Sequence, residues 1–235
     1  MDITKPVSQS DIAHQFERRK PWVTKFLIEG TEYGGQFDAM NDDRVSQFFQ
    51  YFPNVSTILE LGALEGGHSF ALAKRPSVRR VLAAEGRSSN IEKAAFVQGL
   101  LNTDKVEFVE ANLEKFDLLS LGKFDAVFCS GVLYHLPEPW KLLEQCARVS
   151  PNLFIWTHYA GENEAKETLQ NLRGKWHQEG GLLDPLSGLS KRSFWPTLGS
   201  LISMLTASGF RTVHLIGNEL THVNGLAVTL AATQA

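Results

Sequence analysis

The chain carries only two cysteines, Cys129 and Cys146, among its 235 residues. Two isolated cysteines exclude a disulfide framework and make no zinc-binding pattern. Both lie in apolar stretches, which predicts buried free thiols in a reducing cytoplasm. No apolar run approaches the ~20 residues of a membrane span. The opening Met1-Asp2-Ile3-Thr4-Lys5-Pro6 lacks the apolar core of a signal peptide. A cytoplasmic protein without a membrane partner is expected. An excess of positive charge is missing too: 23 Lys and Arg face 26 Asp and Glu, a net charge of −3. The short runs Arg18-Arg19-Lys20 and Arg79-Arg80 read as solvated surface, so nucleic acid is not an expected partner. Repeats and low-complexity tracts are absent. At 43% hydrophobic, the chain can bury one core, and a single domain over 1–235 is expected.

What is present begins at Thr57-Ile58-Leu59-Glu60-Leu61, an apolar run followed by Gly62-Ala63-Leu64-Glu65-Gly66-Gly67 and then a helical pattern through Ala73. This reads as strand, turn, helix. Glycine lets the chain turn sharply and a ligand approach the backbone, and the following helix begins with free N–H groups. The turn therefore suits a nucleotide-type cofactor. The glycine spacing does not match the dinucleotide fingerprint, whose second glycine would replace Leu64. Glu85 ends the next apolar strand at about the ~20-residue offset where an acid takes ribose hydroxyls.

Further strands are expected at 78–85, 105–110, 124–129 and 153–156, with helices at 89–101 and 139–149 between them. Strands alternating with helices predict parallel βαβ units in a doubly wound α/β sheet. A helix over 198–208 leads to strands at 210–216 and 226–231, joined by a short turn as an antiparallel hairpin at the sheet edge. Residues 1–50 are expected to form a helical cap. Within it, Asp42 to Phe52 is a helix with Asn41 or Asp42 as its N-cap, and 29–35 is a glycine-broken mobile segment. Residues 160–197 carry no regular pattern, as in a lid or binding segment.

Three stretches together resemble the class I S-adenosylmethionine (SAM) dependent methyltransferases: the turn Glu60 to Gly67, the strand-end acid Glu85, and Phe124 to Pro137 with its Cys129-Ser130-Gly131-Val132-Leu133-Tyr134-His135-Leu136-Pro137 loop. The resemblance covers roughly residues 50–235. It implies a seven-stranded Rossmann-like sheet, SAM as cofactor and S-adenosylhomocysteine (SAH) as product. It further implies that Glu60, Gly62, Ala63 and Gly66 hold the methionine end, that Glu85 and Gly86 meet the ribose, and that Cys129 and Ser130 pass beside the methyl group. Asn112 could hold the adenine amino group through its side-chain oxygen, with Leu113 packed on the ring.

The expected reaction is methyl transfer to an oxygen or nitrogen of a small molecule by a monomer or homodimer. The strand-end Cys129 and Ser130 cannot replace the hard oxygen ligands of magnesium, so no metal is expected. The loop also lacks the Asn-or-Asp-Pro-Pro-aromatic pattern of base-amino methylation. A poorly nucleophilic acceptor needs a base, and imidazole titrates near neutral pH. His158 and His135 are the candidates, both leaving strands at the same rim. Tyr33, Tyr159 and Trp195 are expected to wall an aromatic or lipophilic acceptor. A tRNA-modifying SAM enzyme, a non-catalytic SAM-binding protein and, last, a nicotinamide dehydrogenase remain as alternatives.

Overall fold

The computed structural model describes residues 8–181 and 184–235. Seven strands form the central sheet: β3 (Thr57–Leu61), β4 (Arg80–Glu85), β5 (Val106–Glu110), β6 (Ala126–Ser130), β7 (Asn152–His158), β11 (Thr212–Glu219) and β12 (Ala227–Thr233). Their order is β11-β12-β7-β6-β3-β4-β5. The five strands from β5 to β7 are parallel, and β12 runs antiparallel to both β7 and β11. The expected doubly wound sheet with a C-terminal antiparallel hairpin is therefore found. Strand order reverses between β3 and β6, the switch point where open α/β sheets bind ligands beyond the carboxyl strand ends.

Alternation along each strand divides two cores. Leu59, Leu61, Val127 and Cys129 face α5 (Pro139–Val149) and α6 (Leu198–Ala207). Ile58, Ala83, Ala126 and Phe128 face the other side, toward α2 (Asp43–Tyr51), α3 (Gly67–Ala73) and α4 (Ser88–Leu101). Near-continuous apolar strands such as Ala126–Ser130, buried throughout, follow from coverage on both faces. Asp42 caps α2 by accepting from Arg44 N at 2.9 Å. By contrast, α4 is preceded by Arg87 and has no side-chain cap.

Two segments differ from expectation. Residues 29–35 are not a mobile link: β1 (Lys25–Ile28) and β2 (Thr31–Gly34) form an antiparallel hairpin turning at Glu29-Gly30. The 1–50 cap thus combines α1 (Gln9–Arg18), this hairpin and α2, and its first seven residues lie outside the described residues. Within 160–197, β8 (Glu167–Leu169), β9 (Leu172–Gln178) and β10 (Arg192–Pro196) build a separate three-stranded antiparallel sheet. Residues 182 and 183 of that insertion lie outside the described residues. A bridge pairs Ala160 with Thr197, closing the insertion at its base.

Candidate active site

A cavity of about 780 Å³ opens along the carboxyl ends of β3, β4, β6 and β7, under the insertion and the segments at Val23-Thr24 and Phe37 to Ala39 that flank the N-terminal hairpin. At its cofactor half, Gly62 has φ +77°, and a Cβ there would stand 2.8 Å from Val132 Cβ. Only glycine fits this backbone and this approach. Gly67 is confined differently: a Cβ would meet Ala39 at 2.6 Å and Thr24 at 2.8 Å, so the N-terminal segment lies directly against the turn.

Glu85 accepts from Leu64 N at 2.8 Å, Arg87 N at 2.9 Å and the Asn90 amide at 3.2 Å. Burial raises its pKa, and these donors oppose the rise without cancelling it. One carboxylate thus ties the glycine turn to β4 while lining the cavity. Leu113, Gly86, Ala63 and Ser130 line the same half. Asn112 does too, although its Oδ1 accepts from Glu114 N at 3.0 Å. That oxygen's second lone pair is the one free to meet an adenine amino group.

Several expected residues lie elsewhere. Glu60 faces α3, accepts from Ser69 Oγ, and is absent from the cavity lining; burial drives its pKa up to about 7. Cys129 points into the opposite core, where burial pushes its thiol up to about 12. Strand alternation explains both, since side chains before a strand's last residue go to the sheet faces rather than to its rim. Gly66, at φ +84°, shapes the turn against Phe70 and Phe108 without lining the cavity. Tyr33 stacks on Phe16 with centroids 4.9 Å apart in the N-terminal cluster. Tyr159 is buried and donates to Asn218 Oδ1 at 2.8 Å. Neither tyrosine lines the cavity.

The other half of the cavity, at the β7 end, brings together Arg44, Tyr134, Trp156, His158, Trp195 and His222. His158 Nδ1 lies 3.1 Å from the Leu226 carbonyl, which can only accept, so Nδ1 carries the proton and Nε2 keeps a lone pair. Its ring stacks on Trp195 at 5.1 Å and meets Tyr134 edge-on at 4.6 Å. Burial lowers its pKa, favouring the neutral base. His135 is engaged differently, with Nδ1 3.0 Å from Glu179 Oε2. Glu179 also accepts from Ser187 Oγ at 2.7 Å and Gly188 N at 2.6 Å. Burial pushes this carboxyl up, but its donors outweigh it and hold the pKa at about 2. His68 sits at the turn, 3.1 Å from Asp42 Oδ2, and Asp42 in turn pairs with Arg44. The Arg44 guanidinium lies 4.6 Å from the Trp156 ring centroid.

Arg44, Glu179 and Thr24 had no sequence signal, because each joins the site through a fold contact with a distant segment. The aromatic Tyr134 and Trp156 stood within recognised stretches, yet nothing in their spacing distinguished them from packing. Among the described residues, buried Thr24 Oγ1, Arg87 Nε and Ser130 Oγ have no hydrogen-bond partner, and all three residues line this cavity. The fit to a nucleoside cofactor rests instead on the cradle at Gly62, which a Cβ would fill, and on the Glu85 carboxylate bordering it.

A sheet of this topology, a glycine turn at its switch point and an acid ending the next strand define a class I SAM-dependent methyltransferase, and the chain belongs to that family. A methyltransferase-domain family model matches residues 59–152. The N-terminal domain of EvdMO1, crystallised in the presence of SAH and D-fucose, is 34% identical with a TM-score of 0.86, covering 96% of this chain and 97% of that one. Against whole EvdMO1, identity is 32% and the TM-score 0.77, with 96% of this chain covered; this chain spans 48% of that protein's length. Magnesium protoporphyrin IX methyltransferase from Synechocystis PCC 6803 with bound SAM, at 15% identity and a TM-score of 0.54, covers 81% of this chain and 76% of its own and shares the fold. No curated protein matches the sequence. SAM is the cofactor and SAH the product.

Proposed function

We propose that this methyltransferase acts on a hydroxyl of a small polar molecule, with His158 as general base and without a metal ion. The observation that carries the reading is the fixed tautomer of His158, whose Nδ1–H donates to the Leu226 carbonyl and leaves Nε2 as acceptor. When bound, SAM supplies an electrophilic methyl group on a sulfonium. His158 Nε2 would accept the proton of an acceptor hydroxyl held beside that methyl group. Tyr134, Trp156 and Trp195 hold the imidazole plane and exclude water, so that alignment and a dry site supply much of the rate.

A sugar-like acceptor is favoured over a lipophilic one. The acceptor half carries Arg44, His158, His177 and His222 beside its indoles, a mixture suited to a polyhydroxylated ring. EvdMO1's N-terminal domain was crystallised with D-fucose present, which supports the same class. Metal independence rests on the β6 end, where neutral Ser130 and the inward-facing Cys129 thiol replace the carboxylates that magnesium requires. The test is transfer of labelled methyl groups to a panel of deoxyhexoses and their glycosides. His158→Ala should lower turnover by about 10²–10⁴ while leaving SAH affinity nearly intact. Wild-type turnover should fall on the acid side with an inflection below 6.5, because burial lowers the His158 pKa from that value. EDTA should leave the rate unchanged. Full activity of the variant would remove His158 as base, and loss of activity in EDTA would overturn the metal-free reading.

A further inference from the structure

We infer that His222 determines acceptor specificity: its Nε2 donates to a second hydroxyl of the acceptor, next to the one His158 acts on, so that the site takes a vicinal diol. The diol rests on the reading that His158 is the base for a sugar-like molecule.

The turn joining β11 to β12 sets the protons of both imidazoles. Its Leu226 carbonyl accepts from Tyr159 N at 3.1 Å, which ties the turn to the end of β7, and also lies 3.1 Å from His158 Nδ1. A carbonyl only accepts, so His158 carries its proton on Nδ1 and offers Nε2 as an acceptor. Two residues earlier the polarity is reversed. Asn224 N, which can only donate, lies 3.2 Å from His222 Nδ1. That nitrogen is therefore without a proton, and the neutral His222 ring carries its hydrogen on Nε2. The turn holds its own shape as well, with Gly225 N donating to the His222 carbonyl at 3.0 Å.

The two rings are neighbours, with centroids 4.9 Å apart, and both line the cavity beside Trp195. Trp156 meets each of them edge-on, at 5.1 Å from His158 and 5.6 Å from His222. Among the described residues, no protein group bonds Nε2 of either imidazole. His158 thus offers an acceptor and His222 a donor within one short span of wall. A hydroxyl is both donor and acceptor, and adjacent carbons of a sugar ring bring two of them within reach of neighbouring imidazoles. A donor on the reacting oxygen itself would occupy a lone pair which that oxygen needs as nucleophile. The adjacent oxygen has no such need. Opposed tautomers therefore let one ring take a proton from the first hydroxyl while the other fixes the second.

The experiment uses the whole chain with SAM and methyl α-D-fucopyranoside, together with analogues of that fucoside that each lack one ring hydroxyl. The methylated position is read from the product. Wild type is expected to use the analogue deoxygenated beside the methylated carbon with a kcat/KM roughly 3- to 10-fold below that of the parent, the range for one hydrogen bond between neutral groups. His222→Leu should lose the same factor on the parent, through KM rather than kcat, and should no longer discriminate between parent and analogue. His222→Gln, whose amide keeps a donor, should restore the discrimination. Long-range proton–nitrogen NMR of the SAH complex should place the protons on His158 Nδ1 and His222 Nε2. Equal kcat/KM for parent and analogue in wild type, or a proton on His222 Nδ1, would overturn the inference and leave His158 as base. Turnover of none of these fucosides would instead remove the sugar-like acceptor, and the inference with it.

Discussion

Glu85 does two things with one carboxylate: three protein donors hold it in place and tie the glycine turn to the end of β4, and it still borders the cavity. Glu85→Ala should therefore show two separable losses. SAH binding should weaken by about 1.5–3 kcal/mol if the carboxylate also accepts from the ribose. Stability should fall by about 1–3 kcal/mol as Leu64 N, Arg87 N and Asn90 lose their acceptor. Calorimetry reads the first and thermal denaturation the second; unchanged affinity in a folded variant would confine Glu85 to a structural part. Glu85 was legible in the sequence because it ends an apolar strand at a set distance from the glycines. Thr24 was not, since its place at the cavity wall depends on Glu65, 41 positions away, fixing its backbone. Glu60 and Cys129 show the limit from the other side: a motif places a residue near a site, but side-chain alternation decides which way it faces.

At the scale of the element, the insertion hangs on Glu179. This residue extends β9 and gathers His135 from the β6 loop together with Ser187, Gly188 and Ser193 from its own segment. Its pKa lies at about 2, below its ordinary 4.5. A depressed carboxyl contributes stability that is present above pH 4.5 and lost as pH falls toward about 2. Pepsin should consequently cut within 160–197 increasingly readily from pH 4.5 down to pH 2. Glu179→Gln should expose the same cuts already at the top of that range and flatten the pH dependence; equal cutting of both proteins throughout would show that the insertion is held by other contacts. The strands of this sheet escaped sequence reading for a physical reason. The hairpin between β8 and β9 turns at Gln170-Asn171, both at positive φ without glycine. Leu172 to Gln178 interleaves Arg, Lys and His with Gly174 and Trp176, so no clean apolar alternation marks it. The central strands were legible because helices cover both faces and leave nearly unbroken apolar runs.

For the molecule as a whole, the cavity draws its lining from residues on either side of the N-terminal hairpin (Val23, Thr24, Phe37 and Ala39), the sheet rim, the α2 start and the insertion. A ligand that touches all of these in the native state and none in the unfolded chain raises the melting temperature. At a hundredfold excess of SAH over Kd, linkage amounts to about 2.7 kcal/mol. For a chain of this size that is roughly 5–10 °C. Scanning fluorimetry with SAH should show this shift, and no change at saturating SAH would mean that these elements do not close on one ligand. Every helix of the described residues is too short or too polar to cross a membrane.

The insertion leaves the central fold at Ala160 and rejoins it at Thr197, two residues bridged side by side, with Ala160 N donating to the Pro196 carbonyl at 2.8 Å. An excursion whose ends touch can be replaced by another of different length without moving the strand before it or the helix after it. Changes of length and composition can then gather in this one module over an unchanged sheet.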